Sequence, residues 1–283
     1  MAGDPTDGHR SSIAAVEALS QIDRWPSAHA AATVVGADGV VASRGDGARP
    51  YPWASVTKLL SALASLVAVE EGIVELDEPA GPEGSTFRHL LAHASGLPLD
   101  DGGALTAPGR RRIYSNAGLD AAAALVAERG EMPFASYLAA AVLEPLGLRG
   151  ELRGPASSGY VGPLPDLARL GRELVAPTVV APETLDEATT VQFPGLVGVL
   201  PGFGRMEPND WGLGFELRDA KQPHWTGARN SPRTFGHFGR SGTFLWIDPE
   251  QGLALGVLTD EPFGDWAAAA WPALSDAVLL SPR

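Results

Sequence analysis

From Trp53 to Gly72 the chain reads Trp-Ala-Ser-Val-Thr-Lys-Leu-Leu-Ser-Ala-Leu-Ala-Ser-Leu-Val-Ala-Val-Glu-Glu-Gly. After Lys58 it is Leu, Val, Ala and Ser almost without a break, enough for a helix of about four to five turns. A helix that is apolar all round has no face to offer water, so this one belongs at the centre of the fold. Gly72 fits the left-handed stop that ends many helices. The polar side chains sit at its front: Ser55, Thr57 and Lys58.

That front end has a chemical consequence. Ser55 and Lys58 are three apart and share one helix face, with Cβ atoms about 5–6 Å apart. The chain has two lysines, Lys58 and Lys221, against nineteen arginines, and one of the two opens its most apolar segment. Burial disfavours an ammonium and lowers its pKa toward neutrality. A neutral amine beside a hydroxyl is a base beside a nucleophile. A hydroxyl at the positive end of the helix dipole also favours developing negative charge. The ordinary alternative is a serine N-cap followed by a lysine that snorkels to water.

The chain has 283 residues, 45% apolar and 19% charged, which supports one large domain or two closely joined lobes. It has no cysteine, so disulfides and thiolate metal sites are excluded. A net charge of −13 argues against nucleic acid and anionic lipid as partners. The opening Met-Ala-Gly-Asp-Pro lacks a basic start and an apolar core, and no run reaches a membrane span. A cytoplasmic protein without membrane association is expected.

Residues 11–24 carry apolar positions at helical spacing. Residues 30–35 and 40–43 flank Ala37-Asp38-Gly39 as a hairpin, and a polar loop over 44–52 leads to Ser55. A short helix lies within Ser85–Gly96, and further helices are expected over 119–128, 133–146 and 164–175. Residues 99–110, 150–163 and 194–210 read as loop. His89 and His93 are four apart, but Leu90 stands where a zincin has Glu, so both are read as structural hydrogen-bonders and no metal or other cofactor is expected. Strands are expected over 211–218, 234–238, 242–248 and 253–259, with a last helix over 264–279. Hairpins at both ends of the chain, with helices at both termini, imply one antiparallel sheet built from both ends and an inserted, mostly helical lobe.

Three local patterns stand in order: Ser55-Val56-Thr57-Lys58, Tyr114-Ser115-Asn116 and His237-Phe238-Gly239. With Leu76-Asp77-Glu78-Pro79 and the run from Phe87 to Pro98, they resemble the serine β-lactamase and penicillin-binding superfamily over about residues 50–262. The resemblance is to the branch that holds class C β-lactamases, D-Ala-D-Ala carboxypeptidases and β-lactamase-fold esterases. It implies a mixed α/β (α+β), β-lactamase-like fold and a single domain over 1–283. The sheet lobe would take about 1–72 plus 208–283, and the helical lobe about 73–207.

The same resemblance implies the roles. Ser55 forms an acyl-enzyme and Lys58 accepts its proton. Tyr114 is a proton acceptor or shuttle, its pKa lowered by nearby cations. Tyr114 and Asn116, two apart in an extended loop, face one way, and Asn116 donates to a substrate carbonyl and steadies Lys58. His237 walls the site, Gly239 lets its strand approach the substrate, and the backbone N–H groups of Ser55 and Arg240 form an oxyanion hole. Arg110, Arg111 and Arg112 read as a solvated loop.

His237 replaces the lysine of many relatives and so removes a permanent cation that recognises a β-lactam carboxylate. The expectation is therefore a cytoplasmic esterase or amidase of small acyl substrates. A penicillin-binding carboxypeptidase, a β-lactamase and a non-catalytic ligand-binding protein on the same fold are the alternatives. The expected partner is a small-molecule ester or amide; a monomer is plausible, and the sequence does not fix the oligomeric state.

Overall fold

The computed structural model describes residues 14–281. Of the helix expected over 11–24, positions 11–13 lie outside the described residues. The rest is helix α1, residues 14–24, whose last part is a 3-10 turn, Ser20–Arg24. Strands β1 (Ala30–Gly36), β2 (Gly39–Gly45) and β3 (Tyr51–Pro52) follow. A 3-10 turn, Ala54–Val56, then runs into α2 (Thr57–Glu70). Next come α3 (Phe87–Leu91), α4 (Asn116–Arg129), and α5 (Phe134–Leu138), which continues through a π turn, Ala139–Leu143, into α6 (Glu144–Leu146). Strands β4 (Glu151–Leu152) and β5 (Tyr160–Gly162) precede α7 (Leu164–Val175) and α8 (Pro182–Ala188). The chain ends with β6 (Gly198–Leu200), β7 (Gly204–Met206), β8 (Glu216–Leu217), β9 (Phe235–Gly239), β10 (Thr243–Asp248), β11 (Leu253–Thr259) and α9 (Asp265–Leu280).

The main sheet is antiparallel, in the order β2-β1-β11-β10-β9-β8, so both ends of the chain build it. Strands β1, β10 and β11 read as near-continuous apolar runs because both of their faces are covered. Ala31 and Val35 of β1, Leu245 and Ile247 of β10, and Ala254 and Leu258 of β11 pack into the core that holds α2 and α7. Their alternating neighbours Ala32, Val34, Phe244, Trp246, Leu255 and Val257 pack on the other face, against Leu19 and Ile22 of α1 and Trp271 and Leu274 of α9. Fully burying a large apolar side chain is worth about 1.5–3 kcal/mol, so a register slip that exchanged these sets would be prohibitive.

Helix α2 is buried without a break from Thr57 to Ala68 and packs against α4. Helix α7, expected within the inserted lobe, lies instead on β1, β10 and β11. Its strongly one-sided pattern buries Leu167, Leu170 and Leu174 there.

Five elements, β4, β5, α8, β6 and β7, escaped the pattern. Residues 150–163 contain β4 and β5, and β5 pairs with β3 through Tyr51↔Gly162 and Pro52↔Val161. Two- and three-residue strands are too short for alternation to register. Helix α8 buries only Leu185 and Ala188, and β6 pairs with β7 in a small separate hairpin. In the strand expected over 211–218, only Glu216–Leu217 pairs as β8. Gly214 sits at φ +81° and the Gly212 N–H donates to Phe215 O, so residues 211–216 fold back as a turn.

Candidate active site

Ser55 sits in the 3-10 turn just ahead of α2, and no side chain caps that helix. Lys58, in its first turn, is 0% exposed, so it does not snorkel. The turn is pinned from three sides. Trp53 Nε1 donates to Gly162 O at 3.1 Å, Ser241 Oγ to Pro52 O at 2.8 Å, and Thr243 Oγ1 to Trp53 O at 2.9 Å. These bonds hold Ala54 at φ +46°, a left-handed conformation that costs a residue with a side chain about 1–3 kcal/mol.

Lys58 Nζ lies 3.3 Å from Ser55 Oγ, 2.7 Å from Asn116 Oδ1 and 2.8 Å from Ser157 O. No carboxylate among the described residues touches it. Burial pulls its pKa down to about 7, against the more distant pull of Asp120 and Asp100. The second lysine is different. Lys221 is also buried, but it is ion-paired with Glu216, which also takes hydrogen bonds from Trp225 Nε1 and His224. That group braces the chain behind Trp211, whose ring centroid is 5.7 Å from Lys221 Nζ.

Tyr114 donates its hydroxyl to Ser55 Oγ at 2.8 Å, and Lys58 Nζ stands 4.9 Å from its ring centroid. The expected lowering of its pKa is not found: burial pushes it well up. The cation that was to lower it is an amine that burial has itself brought near neutrality. Tyr114 and Asn116 do not share an extended loop either. Asn116 is the first residue of α4, and Ser115 caps that helix by accepting from the Gly118 N–H at 2.9 Å. Both side chains still reach the site from this junction. The Asn116 amide is oriented from both ends, with Oδ1 toward Lys58 and Nδ2 donating to Asp100 Oδ1 at 3.0 Å.

On β9, His237 is buried and donates from Nδ1 to Phe238 O at 2.7 Å, which leaves Nε2 as an acceptor without a partner among the described residues. Burial, aided by Lys58, holds its pKa at about 3, so it is neutral. Gly239 does not line the cavity. A Cβ there would meet Trp53 O at 2.6 Å and Thr243 Oγ1 at 2.7 Å. What it approaches is therefore the backbone that carries Ser55, rather than open substrate space.

Ser55, Tyr114, Asn116, His237 and Arg240 line one cavity of about 270 Å³, with Trp211, Phe238 and Phe263 as apolar walls. A larger cavity of about 500 Å³ between Gly47, Arg149 and Arg169 holds none of them. Three site residues had no signal of their own in the sequence. Asp120, one helical turn after Asn116, accepts from Ser157 N and Oγ at 2.8 and 2.9 Å and so aims the Ser157 carbonyl at Lys58. Asp100 fixes Asn116, and Trp211 closes the floor. Only the i, i+4 relation of Asp120 to Asn116 was there to be found.

His89 and His93 act as hydrogen-bonders, as expected. His89 completes a capping box with Thr86, and His93 Nδ1 accepts from Ser115 N at 3.1 Å. Arg112 departs from the solvated-loop reading. It is buried and donates to the carbonyls of Ala92, Gln192, Phe193 and Asn209, tying three segments to its own beneath the site.

A family model described as Beta-lactamase matches residues 27–279. The chain belongs to the β-lactamase family. A β-lactamase of Mycobacterium bovis is 55% identical, with a TM-score of 0.92 over 93% of this chain and 98% of that one. EstCE1, described as a hydrolase with promiscuous acyltransferase activity, is 17% identical with a TM-score of 0.76, covering 96% of this chain and 99% of its own. A variant of the simvastatin synthase of Aspergillus terreus is 17% identical with a TM-score of 0.72, covering 95% and 93%. These last two share the fold. No curated protein matches. Among the described residues of this β-lactamase-family chain, no helix is long and apolar enough to cross a membrane.

Proposed function

We propose that the protein is a serine hydrolase that forms an acyl-enzyme on Ser55, with small esters or amides as substrates. The observation that carries this is the environment of Lys58. A neutral amine has two hydrogens and one lone pair. Asn116 Oδ1 and Ser157 O accept the two hydrogens, and the lone pair is left for the Ser55 hydroxyl at 3.3 Å. Lys58 is thus poised as the base, with a pKa of about 7 that suits it to work near neutral pH.

In the proposed cycle Ser55 Oγ attacks the acyl carbon as its proton passes to Lys58. The oxyanion that forms is met by the backbone N–H groups of Ser55 and Arg240. The bond to the leaving oxygen or nitrogen then breaks, and that atom takes a proton from the Tyr114 hydroxyl, which the Lys58 ammonium resupplies. Water repeats the sequence in reverse and releases the acid. The raised pKa of Tyr114 makes it a donor that must be recharged, so the base at rest is Lys58. Neutral His237 offers Nε2 as an acceptor to a substrate N–H or O–H.

A second reading, hydrolysis of β-lactams, is favoured by the description of the 55%-identical relative. Against it, His237 is uncharged, which leaves Arg240 alone among the described residues lining the Ser55 cavity to meet a β-lactam carboxylate. Comparing kcat/KM for p-nitrophenyl acetate and butyrate with that for a chromogenic cephalosporin separates the two. Esterase activity at least tenfold above cephalosporin turnover is expected, with His237→Ala losing far less than Ser55→Ala. The opposite ratio would move the assignment to β-lactams.

A further inference from the structure

Leu99, Leu105 and Val199 are large apolar side chains left 49%, 69% and 56% exposed. All three line one groove of about 440 Å³. One wall is the segment through Leu105 and Ile113, and the other is β6 with Pro201 beyond it. The walls are joined by a parallel bridge between Arg112 and Gly198. Leu99, Tyr114 and Pro201 belong both to this groove and to the Ser55 cavity, so the two spaces meet at Tyr114. Among the described residues, no acidic side chain lines the groove. Contiguous exposed apolar surface beside a polar site marks a binding surface.

Which half of a substrate lies there follows from the proton path. This step rests on the hydrolase reading above. Ser55, His237 and Arg240, around which the acyl carbon and its oxygen are placed, line the cavity and not the groove. Tyr114, whose hydroxyl protonates the departing atom, lines both. We propose that the departing alcohol or amine carries an apolar alkyl or aryl arm that lies in this groove against Leu99, Leu105 and Val199. In the step itself the Ser55 Oγ–carbon bond forms, the bond from that carbon to the departing oxygen or nitrogen breaks, and the proton from Tyr114 goes to the departing atom.

The test uses two ester series on the full-length protein. Acetate esters of methyl to hexyl alcohols lengthen the departing arm, and methyl esters of acetic to heptanoic acid lengthen the acyl arm. Binding to Ser55→Ala is measured beside kcat/KM of the wild type. A gain of about two- to fourfold per methylene is expected in the alcohol series, in both readouts, with a smaller gain in the acyl series. Leu105→Asp and Val199→Asp should pull the hexyl-to-methyl ratio toward one, while Val40→Ser, on β2, leaves that ratio alone. A flat alcohol series, or a gain confined to the acyl series, overturns the proposal even if the esters are hydrolysed. If the wild type hydrolyses nothing but binding still tightens with alcohol length, the hydrolase reading falls and the apolar groove stands.

Discussion

Tyr114 donates its hydroxyl to Ser55 Oγ at 2.8 Å, so in the resting site the tyrosine is a phenol and the serine oxygen is its acceptor. Burial reinforces this by raising the phenol's pKa. Two groups reach the same oxygen, and they differ in kind: Tyr114 is a phenol that holds its proton, whereas Lys58 Nζ, 3.3 Å away, has a pKa of about 7 and can exchange a proton near neutral pH.

Tyr114→Phe keeps the ring and removes only the proton source. General acid–base help of this kind is worth about 10²–10⁴-fold, so kcat should fall by that order, most for substrates with poor leaving groups. The pH profile should keep its rise near neutrality, because that rise belongs to Lys58. Full activity in the variant would remove Tyr114 from the mechanism.

The acid limb of kcat/KM should show a single ionisation with an apparent pKa of about 7, activity falling tenfold per pH unit below it. Asp120 raises the Lys58 pKa through its charge, so Asp120→Asn should move this limb to lower pH. Asparagine can still accept from Ser157, which keeps the loop in place. A limb that did not move would separate Asp120 from the lysine's electrostatics.

Lys58 also makes stability depend on pH. Its pKa is about 10.4 in an unfolded chain and about 7 in the fold. Between these values the unfolded state binds the extra proton, so wild-type stability rises with pH across that window. Below about pH 7 the penalty is full and constant. Lys58→Met should therefore be inactive yet more stable at pH 6, by about 1–4 kcal/mol, with the gap closing as pH approaches 10. Thermal unfolding of both proteins at several pH values reads this directly.

Gly239→Ala should cost about 1–3 kcal/mol, because the new methyl is driven against Trp53 O and Thr243 Oγ1. Since those atoms hold the turn of Ser55, kcat should fall with it while KM changes little. A loss in KM alone would mean that Gly239 shapes substrate space instead.

Much of this site was legible because its chemistry is local. Ser55 and Lys58 are three residues apart on one helical turn, and an all-apolar helix could only be central. The sheet was legible because β1, β10 and β11 are apolar runs at the two ends of the chain. What could not be read is non-local or short. The Ser157 carbonyl has no side-chain signature, and it faces Lys58 only because Asp120, 37 positions earlier, accepts from Ser157 N and Oγ. Arg112 looked like one of three solvated arginines, since nothing in its own segment reveals the four carbonyl-bearing partners that surround it. The pKa of Tyr114 ran against expectation because its neighbours' charges depend on burial, which spacing does not report.

The most direct test of the acyl-enzyme on Ser55 is intact-protein mass after exposure to a fluorophosphonate, with Ser55→Ala alongside. The proposed mechanism predicts one adduct on the wild type, mapped to Ser55, and none on the variant. An unmodified wild type, or equal labelling of both proteins, would contradict it.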